Sequence, residues 1–244
     1  IAALVTLAVF ILLWLIAPIL VAESRDRGVF IQGSFRSNLA IMGLALADKA
    51  YGEEGLAIAS MIMAFITVLY NVLSVVALSS SLRSDTTSPL RAIVKGIVTN
   101  PLIIAILASI GLKFTGLRLP TMLADSGQYF AQMSLPLALL CIGGSLSFRS
   151  LRGSSSLTLW ASFIKLCVLP GLTIVAAVYF GIRGVPLGVL FLMVSAPTAA
   201  ASYVMVEAMK GNSALAANII AMSTVWSIVT VSFGLLLLKS MELI

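Results

Sequence analysis

The sequence predicts an all-α membrane protein, and three features carry that expectation. Of its 244 residues, 60% are hydrophobic and only 10% are charged, whereas a soluble domain is about half apolar and about a quarter charged. The mean hydropathy is accordingly +1.13. The apolar residues fall in long blocks divided by short charged gaps, and the layout of the blocks recurs in the two halves of the chain. So little polar surface cannot clothe a water-facing body.

A helix crosses about 30 Å of hydrocarbon at 1.5 Å per residue, which takes roughly 20 apolar residues. Eight blocks meet this requirement, at 1–22, 29–47, 55–80, 96–113, 122–148, 157–180, 187–208 and 213–238. The first is long and no Lys or Arg precedes it, which separates it from a signal peptide. Because the chain opens on Ile1 rather than Met, its natural N-terminus is expected to lie upstream. The second block carries Gly33-Ser34-Phe35-Arg36-Ser37-Asn38 at mid-span, and the third runs through Asn71. Residues 81–95, with Arg83, Asp85, Pro89 and Arg91, read as a polar linker. The fourth block includes Asn100-Pro101, a helix cap followed by proline at the first helical position. The fifth contains Gly143-Gly144, which permits close helix approach. The sixth holds Lys165, the seventh is interrupted by Ser195-Ala196-Pro197-Thr198, and the eighth is unbroken.

The net charge of +6 is loop charge. Of the 15 Lys and Arg, Arg25, Arg27, Arg83, Arg91, Lys95, Arg149, Arg152 and Lys210 fall on one side. Lys49, Lys113, Arg118, Arg183 and Lys239 fall on the other, while Arg36 and Lys165 lie within spans. The excess on the first side makes it cytoplasmic. Cys141 and Cys167 both sit within spans and imply no disulfide framework. Trp14, Trp160 and Trp226 are expected at lipid or interface.

Spans 1–3 and 6–8 share one plan: a long span, a span broken near its middle, a Gly-containing turn, then another long span. An offset of 159 (211 − 52) lays Gly52 on Gly211, Leu56 on Leu215, Ala57 on Ala216 and Asn38 on Pro197. Two further spans precede the second copy, so two are expected before the first. That makes a 5+5 plan with eight of ten helices present. An odd number of spans per repeat inverts one half relative to the other, as in secondary transporters. Residues 1–80 are then the last three helices of the first repeat, 81–95 the cytoplasmic linker, and 96–244 the second five-helix repeat.

The two broken spans are the sharpest signal. Proline removes a backbone donor and clashes with the preceding turn, and each backbone group freed in hydrocarbon costs several kcal/mol unless it finds a partner. Such helices must be buried in protein or line a polar cavity. Taken singly, Pro197 reads as a tolerated kink and the Ser/Asn cluster as packing between helices. Two breaks at matched positions favour a cavity, and half-helix N-termini suit anionic groups.

The residues Phe35-Arg36-Ser37-Asn38-Leu39-Ala40-Ile41-Met42-Gly43 resemble the fourth helix of the auxin efflux carrier family, bacterial branch. Asn100-Pro101-Leu102-Ile103-Ile104-Ala105 with Gly111 is similar to its sixth helix, and Ser134-Leu135-Pro136-Leu137-Ala138-Leu139 with Ile142-Gly143 to its seventh. Ala196-Pro197, Asn218 and Ser223-Thr224 resemble the ninth and tenth. The resemblance implies an inverted-repeat carrier of organic anions, in the bacterial inner membrane, whose fourth and ninth helices break and cross where the substrate sits. Plant members have a proline at the first crossover, and 29–47 here has none.

Candidate substrate-binding residues are Arg36, Asn38, Ser195, Pro197, Thr198, Asn71 and Lys165. A cation at bilayer depth is functional by default, although Arg36 or Lys165 could snorkel to the interface. Asn38 offers a donor and an acceptor to a cavity. Ser195 and Thr198 offer hydroxyls to solute or to their own helix, and Asn71 reaches the crossover or bonds a neighbouring helix. Glu207 and Lys210 are expected to form an exposed pair. No His occurs, and no carboxylate lies near the centre of a span. Neither a phosphate-binding loop nor a nucleophile elbow is present. The expectation is a non-enzyme without cofactor or metal, whose partners are a small organic anion and the bilayer, not nucleic acid, with homo-oligomers left open. Proton coupling would fall to a carboxylate upstream or at an edge, such as Asp125 or Glu207. The alternatives are a sodium-coupled organic-acid symporter of the bile-acid type and a non-transporting receptor or scaffold subunit.

Overall fold

The structure is a computed structural model that describes residues 1–82, 120–145 and 156–244, with isolated positions between 104 and 115. The linker expected over 81–95, the Asn100-Pro101 cap and most of the fourth block lie outside the described residues.

Every described element is helical. α1 (Ala2–Leu20) turns Thr6, Val9, Phe10, Leu13 and Ala17 inward and Leu4, Leu15 and Ile19 outward. The inward set recurs every three or four residues, the spacing of one helix face. Apolar side chains also cover the outer face, as lipid requires and water forbids. α2 (Ser24–Phe35) is buried without interruption from Gly28 to Phe35. It begins at Ser24, ahead of the apolar block expected from 29, because the polar turn Arg25-Asp26-Arg27 is helical as well.

After a three-residue gap a π-helical turn (Leu39–Gly43) leads into α3 (Leu44–Ser81). α3 has two arms that reverse at Gly52, whose φ of 59° and ψ of −146° lie in a region open essentially to glycine. α4 (Thr121–Ser145) covers the expected fifth span. α5 (Ser156–Phe163), a second π-helical turn (Ile164–Val168) and α6 (Leu169–Tyr179) form one continuous span. α7 (Val185–Ser195) and α8 (Ala201–Ala208) are the two halves of the broken seventh block, and α9 (Ser213–Ser240) closes the chain. Four stretches among the described residues are long and apolar enough to cross a membrane: Ala2–Leu20, Leu39–Ser81, Ser156–Tyr179 and Ser213–Ser240. This is an all-α, multi-pass membrane protein.

α7 is buried from Leu187 to Ser195, like α2 over its second half. These two half-helices form the centre, and α1, α3, α5, α6 and α9 pack around them. Burial follows from the breaks: helices that end inside the bilayer must keep their ends away from lipid. Gly28 makes the α2–α3 contact close, since a Cβ there would lie 2.5 Å from the Ala77 carbonyl oxygen.

At one end of the bundle, Arg25 Nη2 donates to the Lys210 carbonyl at 2.6 Å and Asn212 Nδ2 to Asp26 Oδ1 at 2.9 Å. Lys210 thus meets Arg25 through its backbone carbonyl, and its own amide donates to the Glu207 carbonyl at 2.9 Å. At the other end Tyr51 packs on Gly188, and the Gly184 amide donates to the Leu243 carbonyl at 2.8 Å. Arg25 and Lys210 thus share one end, as the charge pattern requires.

Candidate functional site

Both breaks sit where the chain has specific reasons to leave the helix. Ala196 precedes Pro197, whose ring disfavours the helical region for its neighbour, and Ala196 is extended at φ −54°, ψ 141°. In the first break no proline is needed. Arg36 is extended at φ −79°, ψ 105°, and the Asn38 carbonyl is taken by the amides of Met42 and Gly43 at 3.2 and 3.0 Å, which starts the π-helical turn.

The breaks lie antiparallel and pair, with Ser37 opposite Thr198. The Asn38 amide donates to the Pro197 carbonyl at 2.8 Å, and the Ala199 amide to the Arg36 carbonyl at 3.1 Å. Each break thus supplies backbone partners that the other lost.

Side chains complete the exchange. Thr198 Oγ1 donates across to the Gly33 carbonyl at 2.8 Å rather than to its own helix, and the Thr198 amide donates to Ser223 Oγ at 3.1 Å. Ser37 Oγ reaches the Val194 carbonyl at 3.1 Å and accepts from the Tyr70 hydroxyl at 3.3 Å. Lys165 Nζ donates to the same Val194 carbonyl at 2.6 Å. The Arg36 guanidinium forks onto Asn71 Oδ1 at 2.8 Å and Ser74 Oγ at 3.2 Å, with Met205 Sδ at 3.6 Å. Gln32 Nε2 also approaches Met205 Sδ, at 3.3 Å. Neither cation snorkels: Arg36 is 5% exposed and Lys165 is 0% exposed.

All seven candidate residues therefore gather at one crossing, in different roles. Arg36 and Asn71 bond directly. Asn38 and Pro197 pair through the backbone, and the half-buried Asn38 side chain makes no hydrogen bond among the described residues. Ser195 is 1% exposed and its hydroxyl is without a partner, as are the Ser202 hydroxyl and Gln32 Oε1. Tyr70, Ser74, Met205 and Gln32 were not singled out from sequence, and Ser223 was named only for its resemblance to the tenth helix, not as a site residue. Tyr70, Asn71 and Ser74 fall within one helical turn, and that polar turn inside an apolar span was the available signal.

The site holds two basic side chains, Arg36 and Lys165, and the buried polar residues among those described include no Asp or Glu. No group of His, Cys, Asp or Glu among the described residues could hold a metal. Cavities of about 270, 320 and 520 Å³ lie on outer, apolar faces, and none of the three is lined by a crossing residue.

Two helices interrupted at mid-membrane and paired through their interruptions are the arrangement the resemblance implied. A family model described as "Membrane transport protein" matches residues 1–235. The chain belongs to that family. The membrane transport protein family, which includes the auxin efflux carriers, is one of carriers rather than enzymes. No curated protein matches the chain significantly.

Proposed function

We propose that this membrane transport protein is a secondary carrier of small organic anions, carboxylates in particular, working by alternating access around the crossing. The observation that carries the reading is the paired break with Arg36 and Lys165 buried beside it and no buried acid among the described residues. Uncompensated positive charge in a low-dielectric interior favours an anionic solute. Inverted topology of 1–80 and 96–244 about a linker at 81–95 would let the surrounding helices rock against the paired broken helices while the crossing stays near the midplane. Asn38, whose side-chain carboxamide is unengaged among the described residues, is the residue best placed to meet a solute.

Full-length protein in vesicles tests this reading. Asn38→Ala should reduce carboxylate flux at least tenfold while the protein remains folded. Undiminished flux removes Asn38 from the site, and absence of carboxylate flux in the unaltered protein removes the anion reading altogether.

A further inference from the structure

The broken helix α7 ends on a carbonyl with an unusual partner. In a continuous helix the Val194 carbonyl would accept from the amide four residues on, that of Thr198. Here the Thr198 amide goes to Ser223 Oγ instead. The freed Val194 oxygen receives the Lys165 ammonium at 2.6 Å and the Ser37 hydroxyl at 3.1 Å. A second group stands beside it unused, for Ser195 Oγ is buried without a partner. Carbonyls at the C-terminal ends of unwound half-helices carry partial negative charge and are the groups that coordinate sodium in carriers with broken helices.

We propose that Lys165 is a built-in counter-cation: its ammonium occupies, at the end of α7, the place a free monovalent cation would take. The π-helical turn Ile164–Val168 carries the lysine at this point, fully buried. Lys165 is thus a positioning residue that acts through the Val194 carbonyl. The protein binds no sodium at the crossing, and neutralising position 165 creates a site for a small cation. The inference rests on the carrier reading for its bearing on coupling, but its test reads stability and needs no transported solute.

Full-length protein purified in detergent is unfolded thermally in sodium, ammonium or choline chloride at equal ionic strength. The unaltered protein should melt at one temperature in all three salts. Lys165→Ala should melt lower in choline and regain at least half of the loss, saturably, in sodium or ammonium. Lys165→Met, which refills the space with apolar atoms, should melt low with no response to salt. Should Lys165→Ala not fold, Lys165→Gln carries the same expectation, because its amide adds an oxygen ligand. Sodium stabilisation of the unaltered protein overturns the proposal. So does a neutral Ala or Gln variant that melts alike in all salts, and so does failure of both to fold in any of them. A rescue by cations alongside absent anion flux would leave Lys165's role standing and remove only the carrier reading.

Discussion

Two adjacent hydroxyls on α9 show how the crossing divides structural from local work. Both hydroxyls donate back to the Ile220 carbonyl of their own helix, at 3.1 and 2.7 Å, but Ser223 Oγ also accepts the Thr198 amide from the other side of the break at 3.1 Å. Ser223→Ala leaves a buried amide without an acceptor and should lower stability by about 1–3 kcal/mol. Thr224→Val should stay within about 0.5 kcal/mol, since the Ile220 carbonyl keeps its helical surroundings. Thermal unfolding of the two variants in micelles measures the difference, and equal losses would contradict the pairing. Nothing in the sequence separates these two residues. A hydroxyl in a span bonds its own helix by default, as both do here, and only the packing of α9 against the break gives one of them a second partner. Arg36, Asn38 and Lys165, by contrast, were legible as candidates because a polar group in an apolar run is conspicuous by composition alone. Their partners depend on which helices are neighbours, and neither periodicity nor spacing encodes that.

At the scale of elements, the reversal inside Leu39–Ser81 rests on one residue. The segment is apolar and helix-forming on both sides of Gly52, and only the conformation at φ 59°, ψ −146° turns it back. A Cβ at Gly52 would meet nothing within 4 Å, so the demand is conformational rather than steric crowding by neighbours. Gly52→Ala should cost about 1–3 kcal/mol, read as a lower melting temperature in detergent. An unchanged value would mean that the turn accepts another conformation. The corresponding reversal between α8 and α9 uses Lys210, at φ 58°, in place of glycine. The two turns therefore match in place but not in detail. The breaks themselves were visible, one through Pro197 and the other through its polar run. The break without proline could be located but not explained, because its extended backbone is held by hydrogen bonds from the opposite segment.

At the scale of the whole molecule, the loop charges and the contacts at the two ends agree on which segments share a side. Arg25 and Lys210 meet at one end, and the turns near Tyr51 and Gly184 lie at the other. The excess of Lys and Arg predicts that the first end faces the cytoplasm. In a background with Cys141 and Cys167 replaced by Ser, Lys210→Cys should resist an impermeant thiol reagent on intact cells, while Arg183→Cys should react. The opposite pattern would reverse the orientation without disturbing the fold. The pairing of Ser37 with Thr198 also constrains how such a body can move. Pulling the two arms apart would strand the amides of Asn38 and Ala199 in a medium without water, at several kcal/mol apiece. The arms are therefore mechanically welded: they travel together or not at all. A sliding seam, if the molecule has one, runs outside the weld, between this inner piece and the helices that surround it.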